Sequence, residues 1–249
     1  MTSVQTAPDP APTSTPPPVP ASSGLVDATL ARLRQTPVWV VLIQTFIGLG
    51  WLRAATEKVI DGAWWSGEVI ESYLAEHADT RLPWFDTFAE LFVEPNLAVV
   101  LVGVVALQAA IGLALVSGIG RRVALVAGMG LNLVFVAGGA VNPSVFYLLA
   151  QMAVFLWMLE HRWDRNSEVL AYLTMGVGWF VAMVSLPFMR TIDPMAVIDD
   201  PAVMLATFGG LVSGCAFLLI DRMRFPTEES LPGRRMGLRS GRAQSGNVR

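Results

Sequence analysis

Long apolar runs alternate with short polar or glycine- and proline-containing connections along most of the chain from residue 37 onward. A helix needs about 20 mostly apolar residues to cross the hydrocarbon core of a membrane. Six runs reach or approach this length. The pattern therefore predicts an all-α integral membrane protein with six transmembrane helices, at residues 37–57, 96–117, 123–141, 144–159, 169–188 and 202–220.

The first four predicted helices differ from the last two in polar content. Helices five and six contain hydroxyl side chains but no ionisable residue. We therefore predict a four-helix core at 37–160, including an outer loop at 59–95, and a two-helix appendage at 161–221. The proline-rich segment 1–36 is predicted to be a disordered tail that ends in a short basic stretch. The arginine-rich segment 222–249 is predicted to be a second tail.

The outer loop has a helical period of its own. Trp65, Val69, Tyr73 and His77 recur every four residues, and a second apolar stripe begins at Trp84. Loops of this length inside compact domains usually carry structure or function. We predict two short amphipathic helices that lie on the outer leaflet, with their tryptophans at the level of the lipid headgroups.

Composition and charge exclude several classes of protein. Hydrophobic residues make up 53% of the chain and charged residues 15%, against about 25% charged residues in a soluble domain. The net charge of −3 gives no footprint for nucleic acid. One cysteine excludes an intrachain disulfide and a thiolate zinc site, and two histidines are too few for the paired axial ligands of a multi-haem cytochrome b. We therefore expect no metal, no haem and no nucleic-acid partner.

Basic residues set the expected orientation in the bilayer. Most of the 17 lysines and arginines fall in the tails and in alternate connections. Such loops face the cytoplasm in multi-pass proteins. We therefore expect both termini in the cytoplasm.

A charged and aromatic cluster at the outer end of the first predicted helix is the leading candidate site. Arg53 and Glu57 are four residues apart, so they share one helical face. Ionisable groups inside a span are costly and often functional. The cluster comprises Arg53, Glu57, Lys58, Asp61, Trp64 and Trp65.

Two interpretations of this cluster remain open. In the functional one, Arg53 or Lys58 hydrogen-bonds a carbonyl oxygen of a quinone or another oxidisable lipid-phase ligand, and Glu57 or Asp61 exchanges protons. In the other, basic and aromatic side chains only anchor the helix at the membrane surface. The deeper position of Arg53 favours a bound ligand for that residue.

Three amides form the second candidate group. Gln108, Asn132 and Gln151 lie at similar depths in the second, third and fourth predicted helices. Amides facing lipid are costly, so we expect the three to meet in the core of the bundle. They either join the helices by hydrogen bonds or form the polar floor of a ligand pocket.

Short motifs in the core resemble the DoxX/DoxD-like membrane proteins. The matching stretches are 47–58, 111–115 through 120–122, and Trp-Trp-Ser-Gly at 64–67. The resemblance implies a four-helix membrane bundle in a prokaryotic plasma membrane. For DoxD-like members it implies electron transfer from thiosulfate to a membrane quinone, and for many DoxX members an accessory role in redox complexes. Lys58 occupies the family's lysine position, whereas Gln44 stands where members often have arginine.

Three functions follow as hypotheses. The first is a membrane subunit of a quinone-linked oxidoreductase that passes electrons from a sulfur or thiol donor to quinone. It would require a bound quinone and a second protein subunit. The alternatives are a non-catalytic scaffold or accessory subunit that recruits a partner, and a permease for small solutes or lipids.

Overall fold

The computed structural model describes residues 24–161 and 165–225, and all regular elements within them are helical. Five of these helices are long and apolar enough to cross a membrane. The described part of the chain therefore has the architecture of a multi-pass helical membrane protein. The predictions for residues 1–23, 162–164 and 226–249 lie outside the described residues. The five helices are Val38–Ile60, Pro83–Ser117, Val141–His161, Arg165–Phe188 and Pro201–Arg224.

Six long helices correspond to the six predicted apolar runs. The helix that corresponds to the third run has 17 residues, which gives a length of about 25 Å at 1.5 Å per residue. It is not among the five helices that are long and apolar enough to cross a membrane. The six long helices are α2 (Val38–Ile60), α6 (Leu97–Ser117), α7 (Arg121–Ala137), α8 (Val141–His161), α9 (Arg165–Ser185) and α10 (Pro201–Arg224).

The connection between α7 and α8 differs from its prediction. We expected the third helix to continue to residue 141, but it ends at Ala137. Gly139 adopts a φ of 101°, a backbone conformation that residues other than glycine rarely adopt. Asn142, just before Pro143, has extended backbone angles inside α8. The residue before a proline avoids the helical region, which explains this break.

A short helix precedes the bundle. Residues Leu25–Arg34 form α1, within the segment 1–36 that the sequence analysis assigned to a disordered tail. Asp27 lies in its first turn and Arg32 and Arg34 in its last turn. An acidic first turn and a basic last turn interact favourably with the helix dipole and so stabilise the helix.

The outer loop contains more helical pieces than the two predicted. Its first stripe is divided at Gly67, where φ is 85° and a Cβ would lie 2.7 Å from Leu97 Cδ2. Its second stripe continues from a helix into one π-helical and one 3₁₀ turn before α6 begins. The pieces are α3 (Gly62–Ser66), α4 (Glu68–Glu76), α5 (Pro83–Phe88), the π-turn Ala89–Val93 and the 3₁₀ turn Glu94–Asn96.

Glycines set the closest helix approaches. The main pairs are α2 with α6, α7 with α8, and α9 with α10, and α10 also contacts α7 and α8. A Cβ on Gly112 would lie 2.8 Å from the Gly48 carbonyl oxygen, and one on Gly209 would lie 2.4 Å from that of Gly178. Small residues at such crossings allow the tight backbone packing that joins helices in membranes.

Successive long helices run in opposite directions, so the bundle has two distinct ends. The end of α1, the α6–α7 turn and the end of α8 meet at one end, which we call the α1 face. The end of α2, the loop helices and the α7–α8 connection meet at the other end, which we call the loop face. The candidate charged cluster lies at the loop face.

Candidate functional site

A cavity of about 400 Å³ opens between α2, α6, α7 and α8 near the loop face. We call it the polar cavity. Residues from both candidate groups of the sequence analysis line it, although those groups lie far apart in the chain. These residues are Arg53, Glu57, Lys58, Gln108 and Asn132.

Two of the three predicted amides are hydrogen-bonded to each other. Asn132 Nδ2 donates to Gln151 Oε1 at 3.3 Å, and both side chains are buried. Gln151 lies behind the cavity wall, against Gly128, where a Cβ would lie 2.6 Å from Gln151 Nε2. The absence of a side chain at position 128 therefore leaves room for this amide pair.

Gln108 supplies an unsatisfied hydrogen-bond acceptor in the wall of the polar cavity. Gln108 is 1% exposed, and its side-chain oxygen Oε1 has no hydrogen-bond partner. Buried polar atoms in folded proteins nearly always have a partner. Gln108 therefore leaves a buried acceptor without a partner beside the polar cavity.

Trp51 supplies an unsatisfied donor in the same wall. The residue is 4% exposed, its Nε1 has no partner, and its ring centroid lies 6.0 Å from that of Tyr147. The indole nitrogen can only donate. One donor and one acceptor beside the polar cavity are therefore buried and left without a partner by the described residues.

Arg53 is more exposed than expected for a residue chosen for its depth in the first helix. Its Nε donates to Glu57 Oε1 at 2.7 Å, and the two side chains are 80% and 57% exposed. The pair lies at the mouth of the polar cavity. Arg53 lies two residues after the buried Trp51, so the helical twist turns it by about 200° away from the core.

Lys58 lies at the boundary between two cavities. It lines the polar cavity and also an adjoining cavity of about 630 Å³ between the loop helices, α6 and α7. We call the second one the apolar cavity. Phe135 and Ala140 also line both. The ammonium of Lys58 lies 5.0 Å from the ring centroid of Trp64.

The apolar cavity has an almost entirely hydrocarbon wall. Phenylalanines of the loop face valines of α6, and Trp64 contributes a buried Nε1 without a partner. Such a surface suits an aliphatic or isoprenoid chain. Its lining includes Phe85, Phe88, Phe92, Val100 and Val104.

Three predicted site residues line neither cavity: Gln151, which lies behind the wall of the polar cavity, and Asp61 and Trp65. Asp61 is exposed, and its carboxylate accepts a hydrogen bond from Ala63 N at 3.0 Å, which caps α3. Trp65 is exposed, and its Nε1 donates to Val59 O at 3.1 Å. Both side chains fix the turn between α2 and α3.

The sequence analysis missed Trp51, Ser144 and Tyr147, which line the polar cavity. A signal for Trp51 exists in the sequence, because it lies seven residues before Lys58 and therefore on the same face of the helix. Ser144 and Tyr147 follow the break at Asn142, whose geometry local sequence does not indicate.

Tyr73 attaches the outer loop to the α7–α8 connection, beside the two cavities. Its hydroxyl donates to Gly138 O at 2.9 Å and accepts from Ala140 N at 2.9 Å. Burial raises the pKa of Tyr73 above its ordinary value, against a smaller lowering by the Ala140 N–H. A neutral hydroxyl is therefore the form that this site favours.

In residues 24–161 and 165–225 there is no group of three or more His, Cys, Asp and Glu side chains that could hold a metal ion. Comparison of the chain with protein-family models, curated proteins and solved structures gave no match. The arrangement of the two cavities and their unsatisfied polar atoms is therefore the basis for assigning a function.

Proposed function

We propose that this chain is a membrane subunit of a quinone-linked oxidoreductase, similar to the DoxX/DoxD-like proteins, that helps to pass electrons from a sulfur or thiol donor to a membrane quinone. The supporting observation is the junction of the polar and apolar cavities at Lys58. A quinone has polar oxygens on a ring and an apolar chain, the same division as the two cavities. When bound, it supplies the electron-accepting group.

The polar cavity has hydrogen-bonding groups for both oxidation states of such a ligand. The Trp51 N–H and the Lys58 ammonium can donate to a carbonyl oxygen. The Gln108 Oε1 can accept from a hydroxyl. A buried polar atom left without a partner costs about 1–3 kcal/mol, so a ligand whose oxygens approach Trp51 Nε1 and Gln108 Oε1 would relieve two such costs.

Glu57 has the position required for proton exchange. It lies at the mouth of the polar cavity, about half exposed, beside Arg53. Its carboxylate can carry a proton between the cavity and water, while Arg53 holds it in one orientation. We propose this role for Glu57 rather than Asp61, because Asp61 caps α3 outside the cavity.

We also propose that the chain crosses the membrane six times, so that α7 crosses in addition to the five longer helices, and that it lies in a prokaryotic plasma membrane. Arg122, at the start of α7, can extend toward the surface and help to compensate for the short length of this helix. An even number of crossings places both termini on one side. Arginines crowd the α1 face, which favours the cytoplasm for that side. They are Arg32, Arg34, Arg121, Arg122, Arg165, Arg222 and Arg224.

Binding of a quinone to the full chain in lipid nanodiscs tests this function directly. The probe is a ubiquinone or menaquinone analogue with a short alkyl chain, and the bound fraction is measured by equilibrium dialysis. We expect W51F and Q108L each to weaken binding about tenfold, as the loss of one good hydrogen bond does. The matched control is W179F, because Trp179 is exposed on α9 away from both cavities.

Turnover provides a second, independent measurement. In native membranes that contain the full chain, K58M and E57Q should lower quinone reduction by thiosulfate or a dithiol, while R34Q should not. Wild-type protein that retains no quinone would contradict the proposal. Unchanged binding in W51F and Q108L, with normal thermal unfolding, would contradict the assigned site.

A further inference from the structure

A second polar cavity lies at the opposite end of the bundle, on the α1 face. It has a volume of about 430 Å³ and is bounded by the end of α1, the α6–α7 turn and the end of α8. Four basic side chains from these three elements line it: Arg32, Arg121, Arg122 and His161. The described residues that line it include no aspartate or glutamate.

We propose that this cavity binds a phosphate-bearing anion, either the headgroup of an anionic phospholipid or a soluble phosphate ester. Guanidinium groups form paired, charge-assisted hydrogen bonds with phosphate oxygens. The volume is within the range of small-molecule sites and accommodates a glycerophosphate group. The site is separate from the polar and apolar cavities at the loop face, and it does not depend on the proposed redox role.

Arg121 is held in a defined direction at this cavity. Its Nη1 donates to Gln44 Oε1 at 2.7 Å, and its guanidinium carbon lies 5.9 Å from the ring centroid of Trp157. Gln44 is fully buried in α2, and Trp157 belongs to α8. Contacts from two helices therefore position this arginine before any ligand binds, which lowers the entropic cost of binding.

The α6–α7 turn leaves the cavity open beside these arginines. Gly118 and Gly120 have φ values of 69° and 63°, and a Cβ at either position would meet no atom within 4 Å. The first turn of α7, which follows Gly120, has no side-chain cap. Its backbone N–H groups add to the attraction that the arginines exert on an anion.

Apolar side chains beside the cavity fit the lipid source of the phosphate. Val123 lines the cavity and is 74% exposed, and Ile119 is exposed in the turn next to it. A phospholipid could place its headgroup among the arginines and its acyl chains along these residues. A soluble phosphate ester would use the arginines alone.

Two charge-matched double variants test the site. R32Q/R122Q removes two lining arginines, and R34Q/R222Q removes two exposed arginines that do not line the cavity. The full chain, delipidated in a neutral detergent, is titrated by calorimetry with phosphatidylglycerol, phosphatidylcholine, glycerol 3-phosphate and inorganic phosphate. We expect R32Q/R122Q to weaken phosphatidylglycerol binding about tenfold or more, and R34Q/R222Q to remain within about twofold of wild type.

The probes also distinguish the two sources of phosphate. Binding of phosphatidylglycerol but not of glycerol 3-phosphate or inorganic phosphate supports a lipid headgroup, and equal binding of glycerol 3-phosphate supports a soluble ester. If R32Q/R122Q does not fold, the single variant R32Q on the surface helix α1 gives the same readout. Wild-type protein that binds no phosphate compound, or equal weakening in both double variants, would overturn the proposal.

Discussion

The hydroxyl of Tyr73 accepts a hydrogen bond from the backbone nitrogen of Ala140 at 2.9 Å, across 67 residues of sequence. Both residues line the apolar cavity, and Ala140 lines the polar cavity as well. Nearby, Leu82 N donates to Ala137 O at 3.0 Å. The outer loop is thus a wall of the candidate site, so its attachment and the shape of the cavities are coupled.

Removal of the Tyr73 hydroxyl should loosen this wall. In Y73F the Gly138 carbonyl loses the donor that Tyr73 supplies, and the Ala140 N–H keeps only its hydrogen bond to Phe135 O at 2.9 Å. We expect the free energy of unfolding in mixed micelles to fall by about 1–3 kcal/mol. The control is Y172F, whose ring lies 5.3 Å from the Arg224 guanidinium and whose effect should be small. Equal stability of Y73F and wild type would contradict the role of this bond.

The same hydroxyl should make stability sensitive to high pH. Burial raises the pKa of Tyr73 above the value of about 10 for an unfolded tyrosine, so the folded state holds the proton more tightly. The resulting stability is fully present below about pH 10 and is lost as the pH rises through the folded pKa. In a tyrosinate absorbance titration of the three tyrosines, the component with a pKa raised above about 10 should disappear in Y73F.

The pairing of α9 with α10 should depend on Gly209 but not on its neighbour. A Cβ at 209 would lie 2.4 Å from Gly178 O and 2.7 Å from Ala182 N, whereas a Cβ at 210 would meet nothing within 4 Å. We expect G209A to lower the unfolding free energy by about 1–3 kcal/mol, because backbone must move. G210A should be neutral or slightly stabilising. Similar effects of the two substitutions in SDS titrations would disprove this crossing.

The amide pair behind the polar cavity should depend on Gly128. G128A places a methyl 2.6 Å from Gln151 Nε2, which should displace Gln151 and break its hydrogen bond with Asn132. We therefore expect weaker quinone binding, by about tenfold. The matched control G130A adds a methyl where no atom lies within 4 Å and should bind normally. Normal binding by both variants would exclude a contribution of the amide pair to the site.

Several features of the site could be predicted from sequence because they depend on depth in the membrane. Counting residues from the helix ends placed Asn132 and Gln151 at one level, and the structure joins them by a hydrogen bond. The same counting could not show that Gln108 keeps an unsatisfied oxygen, because that depends on which neighbours lie within reach. It also could not place Asp61 outside the cavity, since the turn into α3 decides its direction.

The sequence alone determined that the described chain is a multi-pass helical protein, because apolar length is a local property that each segment carries independently. The tertiary structure alone decided which side of α2 faces the cavity, where Trp51 is buried and Arg53 is exposed. The physical reason is that these helices are surrounded by lipid rather than by water. Lipid and neighbouring helices are both apolar, so hydropathy does not distinguish a lipid-facing residue from one that faces the bundle.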